Sequence, residues 1–212
     1  MSFHHKQIAA AALPLLALVA GCSSEQRGDW TEVYGIFQRA FSDNAVTYQQ
    51  AAQIPFASIG VRVGGGSEGI LVLASSNADQ QLWTAASHVV LLLRAGRIVK
   101  TAGLEHNLND MRLVRGGTGQ PESVWEADFG DLHAYSVLIR CHAVSRGPGS
   151  INNFGTPVAT VQVDEECRSD QLDWSFTNSY WIAPQSGLIW RSVQYVSPKL
   201  DPLTIRVLRP PG

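Results

Sequence analysis

Short apolar runs alternate with turn-forming residues along most of the chain. Each run is rich in β-branched or aliphatic residues, and the intervals hold clusters of glycine, proline, asparagine and aspartate. The predicted strands are SIGVRV (58–63), GILVLAS (69–75), HVVLLLR (88–94), RIVKT (97–101), SVWEADF (123–129), AYSVLIRCHAV (134–144), PVATVQV (157–163), LIWRSVQYV (188–196) and LTIRVL (203–208). This pattern predicts a mainly β fold, either an antiparallel β-sandwich or an open or half barrel.

Two segments before the first strand have helical patterns. Asp29 can cap a helix in which large apolar residues recur at steps of three and four. These residues are Trp30, Val33, Tyr34, Phe37 and Phe41. Residues 44–53 indicate a second short helix, which Pro55 closes because proline disfavours helical geometry in the residue before it. The fold therefore includes a short N-terminal helical segment, and we expect its apolar stripe to pack in the core.

The first 21 residues have the features of a secretory signal peptide. The stretch MSFHHK carries one firm positive charge and precedes an apolar run of 13 residues, IAAAALPLLALVA, which is too short to span a bilayer. The run ends in VAGC, and the small residues before Cys22 resemble the lipobox of bacterial lipoproteins. This resemblance implies cleavage before Cys22 and acylation of that residue, including by palmitate. An ordinary signal peptide with an incidental cysteine is the alternative.

Location and domain boundaries follow from this N-terminus. Three acyl chains anchor a protein stably, because two lipid signals already suffice. Ser23 follows the cysteine, and the analogy with lipoprotein sorting in enterobacteria predicts the outer membrane. We therefore expect a signal peptide in residues 1–21, a lipidated tether in residues 22–29 and a single β-rich domain in residues 30–212.

The charge balance argues against nucleic acid as a partner. The 212 residues include 16 Lys and Arg against 18 Asp and Glu, giving a formal net charge of -2, and they contain no basic run. Binding to a phosphate backbone depends on clustered basic side chains. Membrane attachment is expected through Cys22 alone, because no second apolar stretch approaches the length of a transmembrane helix.

The stretch VGGGSEG matches two catalytic or cofactor motifs at once. Gly64, Gly66 and Gly69 spell GxGxxG, while Gly65, Ser67 and Gly69 spell GxSxG. Each motif requires a strand, a turn and then a helix. Strands are predicted on both sides of these glycines, so a hairpin loop explains them better. We expect neither a dinucleotide cofactor nor a serine nucleophile here.

The remaining acids and histidines give weak signals for chemistry. Glu126 and Asp128 share one strand face, whereas glycosidase carboxylates face each other across a substrate. The run DEE (164–166) indicates a solvated strand end. The histidines that lack metal-ligand spacing are His88, His106, His133 and His142. We expect no enzyme, no metal and no cofactor, while a triad formed only by spatial proximity stays open.

Two cysteines remain after Cys22, and they flank a turn-rich segment. Cys141 lies in one predicted strand and Cys167 at the end of the next, on either side of RGPGSINNFGTP. A hairpin that pairs these residues has its loop centred on Phe154, inside that segment. Disulfides persist in exported proteins. We therefore predict a Cys141–Cys167 bridge, with two separate buried thiols as the alternative.

One strand has the composition of a sugar-contacting surface. In LIWRSVQYV, alternation places Trp190, Ser192 and Gln194 on one face, which we expect to point outward. An aromatic plate beside hydrogen-bonding groups suits a glycan or a protein partner. Further aromatic residues that could extend the face are Trp83, Tyr180 and Trp181. The alternative is that these aromatic residues form core.

Three stretches, in order along the chain, resemble one protein family. They are IPFASIGVRV (54–63), LWTAASHVVLLLRAGRIVKTAGLEHNL (82–108) and SYWIAPQSGLIWRSVQYVSPKLDPLTIRVLRP (179–210). The most specific pieces are GRIVKT with the following GL, and GLIWRS. The chain is similar to the YjbF/GfcB family, the group 4 capsule polysaccharide lipoproteins. This resemblance implies a β-rich accessory protein of exopolysaccharide or capsule export, whose partner is the export machinery or the polysaccharide.

Three function classes therefore compete. A noncatalytic accessory in polysaccharide export or assembly comes first. A periplasmic carrier of lipid or lipoprotein, built around an apolar cavity, comes second, and a polysaccharide hydrolase comes third.

Overall fold

Each strand of the chain pairs with its predecessor, except at one place. The computed structural model describes residues 45–77, 79–117 and 120–211. The elements are helix α1 (Tyr48–Ala52) and strands β1 (Ser58–Val63), β2 (Gly69–Asn77), β3 (Gln80–Thr84), β4 (Val90–Arg94), β5 (Arg97–Ala102), β6 (Asp110–Arg115), β7 (Glu122–Phe129), β8 (Ala134–Asn153), β9 (Thr156–Ser169), β10 (Trp174–Ile182), β11 (Ile189–Gln194) and β12 (Leu203–Arg209), with a 3-10 turn at Gly130–Leu132.

These strands form one antiparallel sheet that is nearly closed into a barrel. The order is β5-β4-β3-β2-β1-β12-β11-β10-β9-β8-β7-β6, so the first strand pairs with the last and the only break lies between β5 and β6 among the described strands. At this break the Thr101 N–H donates to the Leu108 carbonyl (2.8 Å), and the Leu108 N–H donates to Thr101 Oγ1 (2.9 Å). The predicted mainly β fold with an open barrel is confirmed.

The inner face of the sheet carries the main hydrophobic core. Alternate residues of the strands point inward, where they bury their apolar side chains against one another. Fully buried members include Leu91, Leu108, Phe129, Ile139 and Leu203. The core therefore occupies the space that the curled sheet encloses.

The glycine-rich stretch is a hairpin loop, as predicted. It joins β1 to β2, and Gly64 has the positive φ of 52° that glycine accepts without strain. The loop also delivers Glu68, which is buried and forms an ion pair with Arg206 of β12. Gly60 opposite Arg206 leaves space for this carboxylate, because a Cβ there would lie 2.4 Å from Glu68 Oε1.

The same ion pair attaches the segment before β1 to the outside of the sheet. The Val46 N–H donates to Glu68 Oε2 (2.6 Å), and Arg206 donates to the Val46 carbonyl. Helix α1 follows, begun by a capping box between Thr47 and Gln50. The second predicted helix is thus confirmed, while the predicted helix with the stripe from Trp30 to Phe41 lies outside the described residues. Among the described residues, no helix is long and apolar enough to cross a membrane.

A long hairpin arm, formed by β8 and β9, reaches the same region. Its tip residue Phe154 contacts the ring of Tyr48 (centroids 5.6 Å apart) and lies under the Arg206 guanidinium (4.8 Å). A register shift between Ser145 and Gly147 bends β8. The arm therefore returns over the outer face of the sheet.

The free edge of β5 is covered by a side chain. The turn Ala95–Gly96, with positive φ at both residues, joins β4 to β5 and pairs Arg97 with Arg94. The Gly96 carbonyl and the Ile98 N–H therefore point away from β4. The Gln194 amide of β11 satisfies both groups: its Nε2 donates to Gly96 O (2.9 Å) and its Oε1 accepts from Ile98 N (2.9 Å).

The substitution Gln194→Leu tests this contact. It would leave a buried and a partly buried backbone group unpaired, at about 1–3 kcal/mol each, so we expect the free energy of unfolding in urea to fall by about 3 kcal/mol. The Ile98 amide should also exchange its hydrogen faster. Gln185→Leu, in an exposed loop, is the control. Equal stability of the two variants would contradict the contact.

The β8–β9 register brings the two predicted cysteines opposite each other. Cys141 pairs with Cys167, and the structure joins them in a disulfide. The loop between them has a sequence separation of 26, for which chain entropy gives about 3 kcal/mol of stabilisation.

Free thiols are first alkylated in the unfolded protein, and the disulfide is then reduced. We expect the intact mass to increase by two hydrogens on reduction. The double variant Cys141→Ala/Cys167→Ala should unfold at a lower urea concentration by an amount that corresponds to about 3 kcal/mol. An unchanged mass would show that the bridge does not form.

Candidate functional site

The predicted sugar-contacting face of β11 points into the barrel. Ser192 is 3% exposed and Gln194 is 1% exposed, so the prediction that both face outward is wrong. The physical reason is the free edge of β5, whose backbone groups require polar partners inside the sheet. Gln194 supplies them, and its Nε2 also donates to Ser192 Oγ (3.0 Å).

The aromatic residues assigned to this face are separated by the sheet. Trp83 and Tyr180 point inward and are 2% and 8% exposed, which agrees with the alternative of an aromatic core. Trp190 is the extra residue of a register shift opposite Trp181 and Ile182, so strand alternation does not assign its direction. Trp181 lies on the outer face, between the inward Tyr180 and Ile182.

The outer face of the same strands carries a connected polar surface, which we call the Trp181 face and define as Gln162, Asp164, Ser179, Trp181 and Arg191. Trp181 pairs with Gln162 of β9 on one side and with Arg191 of β11 on the other. The Arg191 guanidinium lies 5.0 Å from the centroid of the Trp181 ring. Arg191 is exposed, and Trp181 is half-buried.

Asp164 is the anchor of this face. It accepts hydrogen bonds from Arg146 Nε (2.8 Å), Ser179 Oγ (2.7 Å) and Gln162 Nε2 (3.0 Å). Burial raises the pKa of its carboxyl, but the hydrogen bonds from Gln162, Arg146 and Ser179 outweigh this effect and hold the pKa below its usual value. Asp164 is therefore a permanent anion at neutral pH.

The prediction that residues 164–166 form a solvated strand end is wrong for two of the three acids. All three lie within β9, where Asp164 is buried by its contacts on the outer face and Glu165 points inward. Only Glu166 is exposed. A run of acids on a strand alternates between faces, so one of them must enter the interior.

Glu165 forms a buried polar cluster with residues of three other strands. It accepts from the Arg97 guanidinium, which lies 4.3 Å from the centroid of the Trp125 ring, and from the Tyr180 hydroxyl (3.3 Å). Burial lowers the pKa of Arg97 and raises the pKa of Tyr180. Arginine nevertheless stays charged beside a carboxylate at neutral pH, because its unperturbed pKa is so high. The cluster fixes the β4–β5 hairpin above β7, β9 and β10.

Two clefts flank the tip of the β4–β5 hairpin. One has a volume of about 580 Å³ and contains the apolar side chains of Ile59, Trp83, Leu93, Ile205 and Val207. The other has a volume of about 370 Å³ and reaches Trp125 and Tyr180. Residues that line both are Asp79, Ala95, Ile182 and Ile189. The hairpin tip thus divides one open end of the barrel into two compartments.

Glu126 and Asp128, the acids considered for a glycosidase, both accept hydrogen bonds from other residues of the protein. Arg112 donates to Glu126, and this hydrogen bond holds the pKa of the Glu126 carboxyl below its usual value. Asp128 accepts from the Ser136 N–H (2.8 Å). Both are half-buried on the same face of β7, as the strand alternation predicts.

Within the ranges that the structure describes, the histidines and cysteines do not form a site with one another. His106 contacts Asp131, His142 contacts Glu122, and His88 and His133 are exposed. Among the described residues, the potential metal ligands that lie close together are Cys141, Cys167 and Glu165. The two sulfurs are joined in the disulfide, and a metal ligand would have to be a thiolate.

The sequence reasoning missed Arg191 and the inward pair of Arg97 and Glu165. Alternation in β11 separates Arg191 from Ser192 and Gln194 but does not say which set lies inside. The contact of Arg191 with Trp181 joins two different strands, so the sequence around Arg191 carries no signal for it.

Comparison with known proteins identifies the family. Two relatives from Escherichia coli K12 are described as uncharacterized lipoproteins: GfcB is 23% identical over 93% of this chain and 97% of its own length, and YjbF is 24% identical over 92% and 93%. The crystal structure of the hypothetical lipoprotein YmcC from the same organism has the same fold, with a TM-score of 0.66 and 20% identity over 86% of this chain and 95% of that one. Residues 30–208 match the family described as group 4 capsule polysaccharide lipoprotein GfcB, YjbF, and the chain therefore belongs to this family.

Proposed function

We propose that this protein is a noncatalytic accessory in the export or assembly of an extracellular polysaccharide. Cys22 anchors it by its acyl chains to the outer membrane, and the β domain faces the periplasm. The lipobox before Cys22 and membership of a capsule polysaccharide lipoprotein family support this role.

The pKa shifts and contacts of the carboxylates support the proposal that the protein is not a hydrolase. A glycosidase general acid needs a raised pKa, so that it holds a proton at neutral pH. Contacts with donors lower the pKa of both Glu126 and Asp164 instead. Glu165 is in contact with Arg97 inside the barrel. These carboxylates are stabilised as anions, which suits structure or binding and not proton donation.

Anchoring supplies the physical reason for a lipoprotein in this role. Attachment to a membrane raises the effective concentration of the domain beside a partner in that membrane and restricts its orientation. The activity of a binding protein then depends on the anchor, although the fold does not.

The substitution Cys22→Ala tests the anchored role. In a strain that lacks the chromosomal copy, we expect polysaccharide export to fall by about tenfold because the effective concentration is lost. Urea unfolding of the purified domain should not change. Export is measured as surface polysaccharide at matched protein levels, with Ser24→Ala as the control. Normal export with unacylated protein would contradict the anchored role.

Glu126→Gln and Asp128→Asn test catalysis in the same strain. We expect normal export and no cleavage of the polymer by the purified wild-type protein. Loss of export in either variant, together with cleavage by the wild type, would establish a hydrolase.

A second candidate is favoured by one observation. The cleft of about 580 Å³ beside Trp83 has an apolar lining and could accept part of a lipid, as a carrier requires. If the protein is a carrier, lipid extracted from the native lipoprotein should exceed its own acyl chains, measured by mass spectrometry. Leu93→Glu should then remove that extra lipid, because a charge in the cleft is costly to bury. An extract that contains only the covalent chains rejects the carrier.

A further inference from the structure

We propose that the Trp181 face binds an acidic polysaccharide, with the exposed Arg191 guanidinium pairing with a carboxylate of the sugar chain. This inference rests on the proposed function, which supplies a polysaccharide as the partner, and adds the surface, the contacting residue and the charge of the ligand.

Arg191 differs from most arginines of the described chain in its ion pairing. Most arginines of the described chain contact a carboxylate; they are Arg94, Arg97, Arg112, Arg140, Arg146, Arg168 and Arg206. Arg191 has no such partner among the described residues. Its charge is therefore available to an anion from outside, although the whole chain is slightly acidic.

The Trp181 ring orders the Arg191 side chain. Arg191 stacks on the Trp181 ring at 5.0 Å, and the two residues are direct cross-strand partners in adjacent strands. Such stacking holds a guanidinium in place and leaves the N–H groups at its edge free for a planar, bidentate contact. A carboxylate fits this fork, so part of the ordering cost of binding is removed in advance.

The Trp181 face also offers acceptors for the hydroxyl groups of a sugar. Gln162 and Ser179 each donate one hydrogen bond to Asp164, which leaves the Gln162 carbonyl oxygen and the lone pairs of Ser179 as acceptors. Sugar hydroxyls are the donors that such acceptors need. Gln162 lies directly opposite Trp181, so the acceptor and the cation flank the same ring.

Arg62 adds a second cation to the same face of the sheet. Arg62 of β1 lies on the outer face, opposite Thr204, which is itself opposite Val193 of β11. Its Nε is buried without a hydrogen-bond partner among the described residues. Arg62 and Arg191 are therefore two cations without carboxylate partners on one face, and two separate cations suit a chain with repeated acidic units better than a single ion.

The test uses the purified full lipoprotein in detergent, with polygalacturonate and hyaluronate as acidic probes and dextran as the neutral probe. We expect binding to at least one acidic probe, no binding to dextran, and a loss of affinity as salt is raised. Arg191→Gln should weaken the acidic interaction by about tenfold or more, as expected for a lost charge-assisted contact. Arg191→Lys should recover only part of it.

The matched control is Arg115→Gln, which removes the same charge from an exposed position on β6, where the described residues offer no carboxylate partner either. Trp181→Leu should weaken binding without removing the charge. Equal losses in Arg115→Gln and Arg191→Gln would overturn the proposal, because binding would then depend on net charge alone. Failure of both acidic probes would also overturn it.

These outcomes are distinct from those that test the proposed function. If the binding test fails while Cys22→Ala still lowers export, the accessory role stands and the Trp181 face is not its glycan site. If Arg191→Gln abolishes both binding and export while the protein remains folded and acylated, polysaccharide binding at the Trp181 face is required for export.

Discussion

The contact between Gln194 and the edge of β5 determines how the curled sheet is filled. A sheet of this size has two edges, and an uncovered edge exposes backbone donors and acceptors. Here one amide side chain replaces the missing neighbour of β5 by pairing with Gly96 and Ile98. The β4–β5 hairpin is thereby held against β11, close enough that a Cβ at Gly96 would overlap with Ile189. The two clefts, the buried Arg97 and the seam between β5 and β6 all follow from that position.

Polar contacts determine where the separate pieces of this protein dock, while apolar burial supplies most of the stabilisation. The Glu68–Arg206 pair fixes the segment before β1 on the outside of the sheet, and the Arg97–Glu165 pair fixes a hairpin on the inside. Buried ion pairs stabilise a fold little compared with apolar residues of equal size, because desolvation opposes the Coulomb attraction. Their geometry is demanding, however, and a pair that forms in only one arrangement selects that arrangement.

The sequence predicts most strands and turns well, but it predicts poorly which side chains of a strand point into the barrel. The disulfide could be anticipated because a hairpin register is a local property, whereas the inward position of Gln194 depends on Gly96 and Ile98, almost a hundred residues earlier. Three strands were not predicted: β3, β6 and β10. The strand QQLWT begins with polar residues, and WSFTNSYWI has polar residues on both faces. The alternation of apolar and polar residues that predicts a strand is therefore weak in them. Their neighbours in the sheet, and not their own composition, make them strands.

The pairing of the first strand with the last has a consequence for how the chain reaches its native state. Ile59 pairs with Val207, so closure joins residues 148 positions apart in sequence. Contacts between such distant residues form slowly, since the entropy of a long loop must be lost before they are made. A chain that is synthesised from its N-terminus therefore exposes one edge of β1 until almost the last residue is available. During that interval the domain depends on protection from other chains, and a truncation that removes β12 alone would leave two open edges, on β1 and on β11, as templates for aggregation.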